Sequence, residues 1–148
     1  MTSLLPRRPT VLALDLEGTL ISNAMSQIPR PGLAAFLTRC EQLFERIVVV
    51  TTVREPLFRE IAQFLVEEGC APSWFASVEY VNWSGATKDL SVIPGIQAQQ
   101  ALLVDDYEVY VHPGQEGQWV RVDLFESPYS ESDRGLASVL EVLQQRLA

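Results

Sequence analysis

Seven residues have types and spacing that could do chemistry together. Asp15 and Glu17 stand two positions apart where the apolar run VLAL (11–14) ends, followed by Gly18 and Thr19. Thr51 and Thr52 close the run IVVV (47–50), and Asp105-Asp106 close ALLV (101–104). Lys88 lies between these last two stretches. Four carboxylates gathered at one place repel one another unless a cation joins them. An all-oxygen donor set with few protein ligands suits Mg²⁺, which keeps waters and a substrate phosphate. The candidate metal residues are therefore Asp15, Glu17, Asp105 and Asp106, and the implied cofactor is Mg²⁺. Thr51, Thr52 and Lys88 could hold the remaining oxygens of a phosphoryl group. A carboxylate beside Mg²⁺ can itself attack phosphorus and form an aspartyl-phosphate. A second carboxylate two residues on could protonate the leaving oxygen and later activate water. Gly18 lets the chain turn sharply enough for the two to converge. Singly, Asp15 could cap a turn, Asp105-Asp106 could cap a helix, and Lys88 could be solvated. Their joint occurrence at strand ends carries the catalytic reading.

Those groups need elements to bring them together. Residues 10–14, 47–51, 77–81, 101–104 and 119–122 read as strands, apolar enough to be covered on both faces. Residues 32–44, 56–68 and 132–147 repeat apolar residues at helical spacing. Pro31 suits the entrance of the first helix and Gly69 the exit of the second. Strands alternating with helices predict right-handed crossovers and an α/β fold: a three-layer, Rossmann-like sandwich with a central, mostly parallel five-stranded sheet. In such sheets ligands bind beyond the carboxyl ends of the strands, where all seven residues fall. Residues 82–98 and 107–118 are rich in Gly and Pro and read as loops.

The chain has 148 residues and a net charge of −8. That length suits a single domain, 1–148, with residues 1–9 as a flexible terminus. The acidity argues against nucleic acid, whose binding rests on Lys and Arg neutralising phosphates. No run is apolar for the ~20 residues a bilayer span needs, and the start of the chain lacks the pattern of a signal peptide, so the cytoplasm is the expected location. Cys40 and Cys70 show no metal-site spacing and read as reduced packing residues. The sole histidine, His112, precedes Pro113 in a loop and reads as structural or solvated, with no Ser-His-Asp triad around it.

The segments Asp15-Leu16-Glu17-Gly18-Thr19, Thr51, Lys88 and Asp105-Asp106, in that order, resemble the four motifs of the haloacid dehalogenase (HAD) superfamily. Within it, RPGLAAFL (30–37), VVVTT (48–52), TKDLS (87–91) and LLVDD (102–106) resemble the branch of RNA polymerase C-terminal-domain phosphatases and Nuclear LIM interactor (NLI)-interacting factors. The resemblance implies a HAD-like hydrolase without a large cap domain. It implies Asp15 as nucleophile and Glu17 as general acid/base, with the Glu17 backbone carbonyl on Mg²⁺. Thr51 and Lys88 would bind the phosphoryl group, and Asp106, with Asp105 direct or through water, the metal. Glu17 departs from the aspartate of that branch, although other active branches carry glutamate there.

Without a cap, specificity falls to the rim: residues 21–30, Arg54, and residues 80–86 with Trp83. Arg54 could grip an anion and Trp83 could stack on a substrate. The expected activity is hydrolysis of a phosphomonoester, borne by a phosphoprotein or a small phosphorylated metabolite. A capless enzyme can borrow a lid from a second copy, which would make a homodimer. The alternative is a catalytically inactive binding protein on the same fold. A response-regulator receiver is excluded by order, because its acidic pair precedes the phosphorylated aspartate.

Overall fold

Apolar runs become strands where both faces are covered. The computed structural model describes residues 8–148, so most of the proposed flexible terminus lies outside the described residues. Five strands, β1 (Val11–Leu14), β2 (Arg46–Val49), β3 (Glu79–Tyr80), β4 (Ala101–Asp105) and β5 (Trp119–Arg121), form one sheet. Their order is β3-β2-β1-β4-β5 and every pairing is parallel. The two central strands, β1 and β4, are buried at every residue. The fold class expected from the sequence is the one observed.

The handedness of the crossovers decides what covers each face. The chain steps one way through β1, β2 and β3, then returns to β4 and β5, so the connections of the two halves fall on opposite faces. Helices α1 (Leu33–Leu43), α2 (Glu55–Glu67) and α3 (Gly135–Leu147) all pack on one face. There Leu12, Leu14, Leu102 and Val104 meet Phe36, Leu37, Ile61 and Leu136. The alternate side chains Val11, Ala13, Val48 and Leu103 meet Leu90 and Ile93 on the other face. That third layer is no α-helix but a long connection with 3-10 turns at Leu90–Val92 and Ala98–Gln100. Pro94, and Gly95 at φ 81°, interrupt any helix between them.

The strand order reverses between β1 and β4, which makes their carboxyl ends the switch point of the sheet. Leu14 pairs with Val104, so Asp15 and Asp105 emerge side by side. After Asp15 the chain turns through Gly18 and forms a small flap, in which Ile21 bridges both Glu17 and Pro29. No cap domain interrupts the described chain.

The base of the flap is fixed by Arg30, only 1 % exposed. Its guanidinium donates to both Asp133 oxygens (2.8 and 3.2 Å) and to the carbonyls of Gly18 and Thr19 (3.3 Å each). Phe125 packs 5.4 Å from the guanidinium carbon. A Cβ at Gly135 would run into the guanidinium, so only glycine fits there. This clamp shortens α3 relative to the sequence reading. Asp133 turns back to Arg30 and accepts from the Gly135 amide (2.9 Å), so the helix starts at Gly135 rather than Ser132. Replacing Arg30 by Met should remove the guanidinium donor from the Asp133 carboxylate and from the Gly18 and Thr19 carbonyls, leave that carboxylate without its counter-charge, and cost about 3 kcal/mol or more. Urea denaturation would read that loss, and an unchanged midpoint would refute the clamp's role.

Candidate active site

Asp15 follows β1 directly, and its amide still donates to Val104 (3.0 Å). Lys88 reaches it from the opposite layer. Its ammonium lies 2.8 Å from Asp15 Oδ1 and 2.6 Å from Asp105 Oδ2 and is shielded from water. Lys88 is the only lysine in the chain. The rings of Tyr110 and Trp83 stand 4.9 and 5.8 Å from Nζ. On the other side of Asp15, the buried Thr19 hydroxyl donates to Oδ2 (2.8 Å) and lies 3.0 Å from Asp106 Oδ1. Asp105 is fully buried. Its Oδ1 accepts from the Tyr107 amide (2.9 Å), and its carbonyl accepts from the Trp119 indole (3.0 Å). Gly18 passes close over this group at φ 74°, where a Cβ would stand 2.9 Å from an Asp106 oxygen.

Asp15, Asp105 and Asp106 each offer an oxygen within 4.8 Å of the others. Burial pushes the Asp15 carboxyl up to about 6, against the pull of Lys88. Burial and the neighbouring Asp15 push Asp105 up to about 6 as well. Burial opposes the charge of Lys88, but Asp15 and Asp105 together outweigh it and raise its pKa. Three carboxylates against one ammonium leave an excess of negative charge in a dehydrated corner. That donor set fits a hard divalent cation.

The remaining sequence candidates lie around this core. Glu17 is half-buried, and its Oε2 accepts from the Ala24 amide of the flap (2.8 Å). Its carboxylate does not join the acidic trio. Thr51 is buried just past β2, at the same edge, with its hydroxyl accepting from the Val53 amide (3.1 Å). Thr52 and Arg54 are exposed, Arg54 immediately before α2. Trp83 is pinned by its indole N–H to the Thr51 carbonyl (2.9 Å), so its ring lines Lys88. Thr19, Tyr110 and Trp119 received no role from sequence. Only Thr19, four residues from Asp15 in the same turn, had a signal in its spacing.

A family model of NLI interacting factor-like phosphatases matches residues 10–148. The chain belongs to the NLI interacting factor-like phosphatase family. No curated protein matches the chain significantly. Membership in a phosphatase family supports phosphatase activity in general, and the match spans every strand and helix of the fold. No helix among the described residues is long and apolar enough to cross a membrane.

The raised carboxyl pKa values of this phosphatase-family site make stability depend on pH when no metal is bound. Asp15 and Asp105 titrate at about 6 folded against 3.8 unfolded. Between those values the folded chain holds more protons, so its stability falls as pH rises through that window. Asp89 and Asp133 have lowered values and act below it. Urea midpoints measured in chelator should therefore decline from about pH 4 to about pH 6. A flat or rising profile would contradict the buried acidic pair.

Proposed function

We propose that the protein is a Mg²⁺-dependent phosphatase that hydrolyses phosphomonoesters through an aspartyl-phosphate on Asp15. The observation that carries this reading is the buried Lys88 ammonium joining Asp15 to Asp105 beside Asp106, in a chain of a phosphatase family. Asp15 attacks phosphorus, and the bond from phosphorus to the leaving oxygen breaks. Glu17 gives its proton to that oxygen. Water then attacks the aspartyl-phosphate, Glu17 takes the proton back, and inorganic phosphate leaves with Asp15 regenerated. Lys88 and Thr51 hold the transferring oxygens. Mg²⁺, held by Asp15, Asp106, Asp105 and the Glu17 carbonyl, would screen the approach of one anion to another and polarise the phosphoryl group. Thr52, Arg54 and Trp83 serve the substrate at the rim. The absence of a cap among the described residues favours a large substrate such as a phosphoprotein. A small phosphorylated metabolite fits if a second copy of the chain supplies a lid.

One observation favours the alternative of an inactive binding protein: the Glu17 carboxylate is bound to the Ala24 amide instead of facing Asp15. Hydrolysis of p-nitrophenyl phosphate decides between them. Turnover should require Mg²⁺, and Asp15→Asn should reduce kcat by about a thousandfold or more. Glu17→Gln should cost about a hundredfold or more, the ordinary contribution of a positioned acid. Wild type without turnover but with Mg²⁺ binding would favour the binding protein, and neither would sink both.

A further inference from the structure

Lys88 carries the site, yet the backbone around it belongs to no helix or strand. Its amide donates to the Tyr110 carbonyl (2.7 Å), and Lys88 bridges to Val111 in parallel, which leaves a single isolated bridge to hold its segment. Thr87 and Asp89 flank Lys88 directly in the chain, just after a bend at residues 85–87. One imidazole meets them both. His112 Nδ1 lies 2.7 Å from the Thr87 hydroxyl, and Nε2 lies 3.5 Å from Asp89 Oδ2.

We infer that His112 is a positioning residue, which braces both neighbours of Lys88 and so holds its ammonium between Asp15 and Asp105. The bonds beside this brace point the same way. Asp89 Oδ1 accepts from the Ser91 amide (2.9 Å), the Ser91 hydroxyl (2.7 Å) and the Gln115 amide group (2.8 Å). Gln115 Oε1 in turn accepts from the Leu90 amide (2.9 Å). Ser91, above all, holds the Asp89 carboxyl below the ordinary range, so it stays ionised, with Oδ2 3.5 Å from the imidazole. Residues 110–115 thus grip 87–91 by backbone at Lys88 itself and by His112 and Gln115 at the residues around it. A buried ammonium needs such support, since its two ion pairs offset desolvation only in good geometry.

The inference deepens the phosphatase reading and rests on it for activity, but one measurement is free of it. Lys88 is the only lysine, so acylation by an amine reagent, read by mass spectrometry apart from the N-terminus, reports on this side chain alone. His112→Ala should raise the acylation rate about tenfold and lower kcat/KM by about ten- to a hundredfold, the cost of a misplaced charge. Thr87→Val, which keeps the shape and removes the hydroxyl, should act in the same direction, and Thr87→Ser should restore wild-type values. Lys88 remaining as inert in His112→Ala and Thr87→Val as in wild type would overturn the brace. A folded wild type without phosphatase activity would overturn the catalytic reading alone, because labelling still tests the brace. Should His112→Ala fail to fold, the Thr87 pair decides.

Discussion

A buried ammonium between two buried carboxylates is the interaction on which this molecule depends. Removing Lys88, Asp15 and Asp105 from water costs several kcal/mol per ion, and only close, well-directed pairing offsets it. The 2.8 and 2.6 Å bonds supply that pairing. The sheet makes them possible, since the register Leu14 to Val104 sets two carboxylates side by side at its switch point. It also forces a residual imbalance, because one cation cannot neutralise Asp15, Asp105 and Asp106. Their crowding is unfavourable for the empty fold and useful for binding a divalent ion. Stability lost at this corner would return as affinity for the cation that the proposed chemistry requires.

The turn after Asp15 is gripped by a second buried cation from the opposite side. Lys88 arrives from the loop-covered face, 73 residues away in sequence from Asp15. Arg30 anchors the turn to the start of α3 through Asp133, 103 residues further on. The residue types suit the tasks. Arg30 has a planar fork that satisfies a carboxylate and two carbonyls at once, whereas Lys88 is a compact charge that can sit between two carboxylates. Held from both faces, the turn presents Asp15 with little freedom, which is what the nucleophile of the proposed mechanism needs.

Much of this was legible because parallel strands buried on both faces announce themselves. VLAL and ALLV read as strands from their apolar runs, and the polar residues ending them, Asp15 and Asp105, fell where the sheet put them. The shortfall at β2 has the same origin. Its apolar run continues to Val50, but the ladder ends at Val49, and Thr51 belongs to the edge where the site begins. The sequence predicts a strand over 77–81, and β3 pairs over two residues of it, since an edge strand needs only part of its length in the sheet. The third layer was harder. Residues 82–98 carry no helical period, so a loop was the right expectation, but no pattern said that Leu90 and Ile93 would cover a whole face. Contacts such as Arg30 with Asp133, or Trp119 with the Asp105 carbonyl, join residues far apart in sequence. Propensity is silent about them, and an arginine destined for burial looks the same in sequence as a solvated one.

Glu17 links chemistry to the flap. A glutamate two residues after the nucleophile is one methylene longer than the aspartate of the resembling branch, and that reach is used: the carboxylate arrives at the Ala24 amide. An aspartate at the same backbone position would stop short of it. In the proposed mechanism this same carboxylate delivers the leaving-group proton, so the group that handles the proton and the loop that borders the substrate are joined by one hydrogen bond. A substrate that displaces the flap must also free Glu17, and a substrate too small to touch it leaves the acid occupied. On the proposed reading, with no cap among the described residues, that coupling would favour a ligand large enough to press on residues 21–29 over one that reaches only the acidic trio.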